Sequence, residues 1–261
     1  MIKFSNISWL FLSVWRRNLI VYRRIWKVNF LVPLLEPAFY ILAFGFGFQG
    51  LVSGLSYDGQ SLGYTAFMAP ALIAISIMYN SFFETTYASF VRMYYQKTFD
   101  GMMTTPLSLE EIILAEIVWS ATKATAAATV MTAVLGLFGF VNFPHGLLII
   151  PLAFVGGLAF GAVGMYFTSI TPSIDMLNLP IFLFITPMFL FSGTFFPVSG
   201  LPEWAQGAAL LFPLYHLVEL TRFCCLGLIE TPPWSSLGYL LIFMGVFLVL
   251  ALRAMRRRLI A

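Results

Sequence analysis

Charged residues are scarce in this sequence. Only 10% of its 261 residues are Asp, Glu, Lys or Arg, 60% are hydrophobic, and the mean hydropathy is +0.91. A soluble domain carries about a quarter charged residues, so this chain lacks the polar side chains to cover a surface in water. The shortage of charge predicts an integral membrane protein.

Residues suited to catalysis or metal binding are also few. Cys224 and Cys225 are adjacent, where a disulfide between them would be strained, and no metal-ligand spacing is present. We interpret both as small apolar side chains. No Gly-x-x-x-x-Gly-Lys-Ser/Thr segment occurs, so ATP-driven work would require a separate nucleotide-binding subunit.

Long apolar runs are abundant, and a run of about 20 residues can span a bilayer. We predict an all-α integral membrane protein with six transmembrane helices and a re-entrant helical pair between the fifth and sixth. The predicted spans lie near residues 30–51, 64–90, 112–138, 146–169, 176–196 and 237–254, and the re-entrant pair lies within 197–233. Pro202 and Pro213 are each predicted to start a short helix of that pair. An ordinary extracellular loop is the alternative.

Basic residues are distributed unevenly around these spans. With the N-terminus placed in the cytoplasm, all of the 14 Lys and Arg residues except Lys123 and Arg222 fall in cytoplasmic segments. The positive-inside rule therefore predicts that both termini are cytoplasmic.

The first 28 residues form a separate predicted unit. On a helical wheel, cations that include Arg16, Arg17 and Arg23 fall in one sector, and aliphatic and aromatic residues fall outside it. A helix of this kind lies in the membrane interface; arginines that act only as topology signals are the alternative. The predicted organisation is a cytoplasmic interfacial amphipathic helix over 1–28 and a six-span domain over 29–261.

Ionisable residues within apolar segments are candidates for function, because they are costly in a bilayer. Within the predicted spans these candidates are Glu36, Glu84, Glu116 and Lys123. Glu116 and Lys123 are seven positions apart and share one helix face. For Glu84, Glu116 and Lys123, a structural ion pair or snorkelling to the cytoplasmic edge is the favoured interpretation. In the re-entrant pair, Glu219 and Arg222 have the i, i+3 spacing of an ion pair that fixes a short helix.

The polar segment Arg92–Glu111 joins the second and third predicted spans on the cytoplasmic side. Gln96–Met103 is predicted to form a short helix, which ends before Pro106 because proline disfavours helix at the preceding residue. Ser108–Glu111 has the Ser-x-x-Glu spacing of a capping box, which predicts the start of a new helix.

The predicted short helix has an apolar side. Phe99, Met102 and Met103 supply a patch through which it could dock in a groove of a partner. A simple hairpin loop is the alternative, although the chain uses far more residues than a hairpin needs.

Several segments together resemble the membrane subunit of type-2 ABC transporters, and most closely its nodulation protein J-like branch. The segments that carry the resemblance are 83–93, 96–101, 105–107, 116–119, 121–123, 191–197 and 213–222. They agree in order and spacing, and the resemblance covers essentially the whole chain. It implies a permease that is not itself an enzyme and binds no cofactor, because ATP and Mg²⁺ would be held by two copies of a partner ATPase.

The resemblance also implies which residues couple the permease to the ATPase. These are Arg16 and Arg17 of the N-terminal helix and the coupling helix residues Gln96, Lys97, Thr98, Phe99, Asp100, Gly101, Met102 and Met103. A second permease copy, as a homodimer, and membrane lipid are the other expected partners, and nucleic acid is not expected.

The function implied by the resemblance is an ATP-driven exporter in a bacterial inner membrane. Its cargo would be amphiphilic: a lipo-oligosaccharide in the nodulation branch, and a drug or polysaccharide in related branches. An ion-driven secondary transporter is the alternative; it would need internal repeats and carboxylates near mid-membrane, and the sequence shows no clear repeat.

Overall fold

The computed structural model describes residues 8–27 and 55–260, together with the isolated positions 31, 35, 38–40, 42 and 43. Most of the predicted first span at 30–51 lies outside this part of the chain, and so does Glu36. The described chain is mostly helical, as an all-α membrane protein requires.

The described helices are α1 Phe11–Arg24, α2 Tyr64–Phe83, α3 Thr98–Met103, α4 Leu109–Leu137, α5 Ile149–Ile170, α6 Asp175–Phe191, α7 Glu203–Leu210, α8 Pro213–Leu226 and α9 Pro233–Leu259. Two π-helical segments, Glu84–Ala88 and Val91–Tyr95, continue α2. A further π-helical segment, Ile181–Ile185, interrupts α6.

A short β-hairpin precedes α2 and was not predicted. Strands β1 Leu55–Tyr57 and β2 Gln60–Leu62 pair antiparallel. Asp58 and Gly59 connect them, and both have a positive φ, of 48° and 70°. Two left-handed residues suit the right-handed twist of the strands, and Asp-Gly is a preferred sequence for such a turn.

Three helices of the described chain are long and apolar enough to cross a membrane: Tyr64–Tyr95, His145–Ile170 and Pro233–Leu259. The 29-residue α4 is long enough but carries three glutamates and a lysine. The predicted fifth span at 176–196 is observed as the shorter helix α6, which ends at Phe191. Length and composition therefore support a membrane protein without reproducing the full count of six.

The segment after α6 contains two short helices, as predicted. Pro202 is the residue immediately before α7, and Pro213 is the first residue of α8. The two helices are bent by 83° relative to each other. Proline has no N–H, and the N–H groups of the first helical turn have no partner within the helix, which explains why Pro213 is tolerated as the first residue of α8.

Helix α5 lies in the middle of the bundle, packed against α2, α4 and α9. Its glycines permit this close approach: a Cβ added to Gly157 would lie 2.7 Å from the Cα of Ala121 in α4. Small residues at helix contacts let backbones approach closely in membranes, so the glycines of α5 serve packing within the chain.

The two ends of the bundle differ in their contents. One end, here called the α3 end, holds α1, α3 and the last turns of α9, where Arg258 donates to the carbonyls of Thr168 and Thr171 at 2.6 Å each. The opposite end, the hairpin end, holds β1, β2 and α8, where the Tyr57 hydroxyl reaches Glu219. Most of the described Lys and Arg side chains lie at the α3 end, in α1, around α3 and in the last turns of α9.

Candidate docking surface and ion network

Helix α3 begins two residues later than predicted, at Thr98. Lys97 precedes it in the left-handed region, with φ 53° and ψ 27°. This conformation costs a residue with a side chain roughly 1–2 kcal/mol, so surrounding contacts must hold the corner at Lys97. The corner reverses the chain between the second π-helical segment and α3.

Phe99 stabilises this corner. The sequence pattern predicts that Phe99 belongs to a partner-facing patch, and this prediction is wrong for Phe99 because its side chain is buried. Its side chain is 0% exposed and belongs to a cluster with Phe90, Met93 and Leu109. Met102 and Met103 are partly buried against the same cluster. A six-residue helix has only one face to bury, and its apolar face packs inward because this cluster is available within the chain.

The polar side of the same corner faces outward. Lys97 is 68% exposed and Asp100 54% exposed, and their charged groups are 4.0 Å apart, an exposed pair that contributes little stability. We define the docking face by its exposed residues, which are Tyr94, Tyr95, Gln96, Lys97, Asp100, Gly101, Thr104, Thr105 and Pro106. Tyrosine is enriched in protein interfaces, and the rims of interfaces are polar.

The predicted capping box at the start of α4 is confirmed. The Ser108 hydroxyl accepts from the Glu111 backbone N–H at 3.3 Å, and the Glu111 carboxylate accepts from the Ser108 backbone N–H at 2.8 Å. Ser8 donates to the same carboxylate from its backbone N–H at 2.7 Å. Burial raises the pKa of Glu111, but the hydrogen bonds from Ser8 and Ser108 outweigh it and leave the pKa below its ordinary value. The chain before α1 is thereby tied to the start of α4.

Helix α1 packs along α4 through a polar contact that the sequence did not reveal. Asn18 is buried and donates to the Glu116 carboxylate at 3.0 Å, and the Trp15 indole donates to Thr122 at 3.1 Å. Aliphatic residues on other sides of α1 stay exposed, and the location of α1 in the membrane interface stays a prediction.

Arg16 and Arg17, both predicted to couple to the ATPase, have different surroundings. Arg16 is exposed, whereas Arg17 is partly buried and donates to the Met102 sulfur of α3 at 3.6 Å. Burial lowers the pKa of Arg17, and the Glu116 charge partly opposes this effect. Arg17 therefore joins α1 to α3 and is not simply a solvated surface cation.

Three of the predicted ionisable residues meet in one network, here called the ion network, and Arg92 completes it. Glu84 pairs with Arg92 through one carboxylate oxygen and with Lys123 through the other, each at 2.9 Å. Arg92 also pairs with Glu116 at 2.5 Å. The pairing of Glu84 with Lys123 joins the π-helical extension of α2 to the centre of α4.

Neutral donors complete the hydrogen bonds of the network. The Trp119 indole donates to Glu84 at 3.1 Å, and the Ser89 hydroxyl donates to Glu116 at 2.7 Å. Buried carboxylates need such donors to offset the loss of water. Sequence reasoning assigned Arg92 to a cytoplasmic loop and missed this role, because α2 was predicted to end at residue 90 and the helix continues to Tyr95.

A second network lies at the hairpin end. The predicted i, i+3 pair is confirmed, with Arg222 Nη1 3.3 Å from a Glu219 oxygen. The Tyr57 hydroxyl donates to Glu219 at 2.6 Å, and Arg222 donates to the Gly193 carbonyl at 2.5 Å. Burial and the Glu219 charge raise the pKa of Tyr57, so the phenol stays protonated and donates. The Arg222 guanidinium also lies 3.9 Å from the centre of the Phe67 ring, a cation–π contact.

The chain is similar to known proteins over most of its length. The family model described as ABC-2 type transporter matches residues 10–226. Nodulation protein J of Rhizobium leguminosarum bv. viciae is 36% identical over 255 residues, covering 98% of this chain and 96% of the relative. Nodulation protein J of Sinorhizobium fredii is 36% identical over 82% of this chain and 80% of the relative.

A more distant relative carries a transport name. Inner membrane transport permease YadH of Escherichia coli strain K12 is 23% identical, with 97% of each chain covered. The family model covers most of this chain, and the two nodulation protein J relatives cover 98% and 82% of it. The family consists of membrane permeases rather than catalytic enzymes, and we conclude that this chain belongs to the ABC-2 type transporter family as a membrane-embedded transport permease.

Proposed function

We propose that the chain is the permease subunit of an ATP-driven exporter and that its docking face and α1 meet a separate ABC ATPase. The observation that carries this proposal is the corner at Lys97, where an outward polar face is built on an inward apolar anchor, Phe99. Membership in the ABC-2 family implies an ATPase partner, and the sequence contains no phosphate-binding loop of its own. ATP and Mg²⁺ would be bound by that partner.

The proposed orientation places the α3 end in the cytoplasm of a bacterial inner membrane. The cations of α1, the docking face and the end of α9 support this, since cytoplasmic segments are rich in Lys and Arg. Both termini are then cytoplasmic, and α7 and α8 form the proposed re-entrant pair at the outer side. With the first span at 30–51, this arrangement has six spans.

Two copies of the permease and two of the ATPase form the proposed complex, with the cargo path at the seam between the permeases. Helix α6 supports a lateral apolar contact, because Leu179, Phe182 and Leu183 are highly exposed. The proposed cargo is amphiphilic: a lipo-oligosaccharide, a polysaccharide or a drug-like molecule.

Mechanical coupling follows from how the docking face is attached. Phe99 fixes α3 to the π-helical extension and α4, and Arg17 fixes it to α1. The ion network then joins the π-helical extension to the middle of α4. ATP binding can shift the permease only if the ATPase binds one arrangement of this face more tightly than the other.

Asp100→Lys is expected to weaken ATPase association roughly tenfold. It reverses a charge at the centre of the docking face and leaves the buried anchor intact, and like charges across an interface oppose binding. The measurement is the amount of ATPase that co-purifies with the tagged permease, together with ATP-dependent export.

Glu203→Lys is the matched control, because Glu203 is also exposed but lies at the opposite, hairpin end. Normal co-purification and export by Asp100→Lys would contradict the assignment of the docking face. Export that survives deletion of the ATPase would instead favour an ion-driven transporter.

A further inference from the structure

A cavity of about 930 Å³ lies beside the ion network, between α1 and the π-helical extension of α2. Its described wall holds three cationic side chains, Arg17, Arg92 and Lys123, and one carboxylate, Glu84. Glu116, the other carboxylate of the network, is fully buried behind Arg92 and does not line the cavity. The described wall therefore presents an excess of positive charge.

Arg92 and Lys123, which line the cavity, keep N–H donors that the carboxylates of the ion network do not use. The Glu84 oxygens accept from Arg92 and Lys123, and Glu116 accepts from Arg92. Among the described residues, Nη1 of Arg92 makes no hydrogen bond, and Nζ of Lys123, which has three N–H groups, donates only to Glu84. The group that would complement this wall is rich in acceptors and negatively charged.

Lys123 is notable for its place in the helix. It is the middle residue of α4, yet its side chain remains 23% exposed, on the cavity side. A lysine inside an apolar bundle is costly unless it has partners, and one carboxylate shared with Arg92 only partly compensates it. Its position fits a second, exchangeable anionic partner in the cavity.

Aromatic side chains also line the cavity, beside aliphatic and amide residues. Tyr22 and Trp119 meet edge to face at 5.6 Å, and Tyr79 stacks on Phe83 at 5.5 Å. Aromatic side chains with polar groups suit the boundary between headgroups and acyl chains. The cavity thus combines cationic side chains with aromatic and aliphatic side chains that can contact the first carbons of an apolar chain.

We propose that this cavity binds the anionic headgroup of an amphiphile, a phosphate, sulfate or carboxylate attached to an alkyl or acyl chain. An anionic membrane lipid and an acidic cargo share this chemistry. The inference deepens the proposed function, and it rests on that function in placing the cavity at the cytoplasmic membrane interface. Lys123, Arg92 and Arg17 would supply the N–H donors to the anionic oxygens.

The test uses the full chain in nanodiscs of phosphatidylcholine and two photoreactive probes. One is dodecyl phosphate with a diazirine on the alkyl chain, and the other is its zwitterionic phosphocholine counterpart. The phosphate probe is expected to label peptides that contain Tyr22, Tyr87 or Trp119, mapped by mass spectrometry. Lys123→Gln should reduce this labelling roughly tenfold, the value of one charged hydrogen bond.

Arg17→Gln provides a second variant that breaks no ion pair among the described residues, and it should also reduce labelling severalfold. Arg257→Gln is the matched control, because Arg257 is exposed and does not line the cavity. Equal labelling by both probes, or labelling that neither Lys123→Gln nor Arg17→Gln reduces, would overturn the proposal.

Competition identifies the source of the anion. Displacement of the probe by phosphatidylglycerol in the nanodisc supports a lipid occupant. Labelling that resists phosphatidylglycerol but still depends on Lys123 supports an acidic cargo. The assay contains no ATPase, so a negative result here leaves the docking proposal standing, and loss of ATPase association in Asp100→Lys does not bear on this cavity.

Discussion

Replacing Glu219 with alanine is expected to lower the free energy of unfolding by about 4 kcal/mol, because removing one partner of a buried ion pair leaves an uncompensated charge. Glu219 and Arg222 are each 1% exposed. The variant also removes the acceptor of the Tyr57 hydroxyl and of the Glu230 backbone N–H, at 2.6 and 3.0 Å. The contact between the hairpin and α8 should weaken with them.

The measurement is unfolding of the purified chain in mixed micelles, followed by tryptophan fluorescence. Glu219→Gln should cost less, because the amide oxygen still accepts from Tyr57. Glu203→Ala is the control at an exposed glutamate, with an expected change within about 0.5 kcal/mol. If Glu219→Ala and Glu203→Ala unfold alike, the second network does not stabilise the fold.

Glu116→Gln is expected to cost about 3 kcal/mol, the second largest effect on stability. Glu116 is fully buried and accepts from Arg92, Ser89 and Asn18. Without its charge, Arg92 and Lys123 share the single carboxylate of Glu84, and the network carries an unpaired positive charge.

A double variant separates this charge effect from loss of packing. Arg92→Met combined with Glu116→Gln leaves Lys123 and Glu84 as a balanced pair. We expect the double variant to be about 1–2 kcal/mol more stable than Glu116→Gln, since neutral replacement of a buried pair costs less than leaving one charge alone. Additive losses in the double variant would show that packing, and not charge balance, sets the cost.

Local sequence signals predicted the features that depend on neighbouring residues. The capping box at Ser108, the helix starts at Pro202 and Pro213 and the Glu219–Arg222 pair are all observed. Each depends on residues within four positions of one another, so the spacing alone specifies the interaction.

Features that depend on distant contacts could not be derived in the same way. The apolar face of α3 was correctly identified, but whether it packs inward or outward depends on Phe90 and Leu109, which the fold brings to Phe99. The partners of Glu219 include Tyr57, which is 162 positions away. The π-helical continuation of α2, which carries Arg92 into the bundle, likewise has no simple periodicity in the sequence.

Site-directed cross-linking at Asp100 tests the central claim most directly. Cys224 and Cys225 are buried, so a cysteine introduced by Asp100→Cys would be selectively reactive at the docking face. In native membranes we expect it to cross-link to a protein that binds ATP, with a yield that changes when ATP is added. Glu203→Cys at the hairpin end should give no such product. Functional export without any cross-link from position 100, or equal cross-linking from position 203, would contradict the proposed coupling to a separate ATPase through α3.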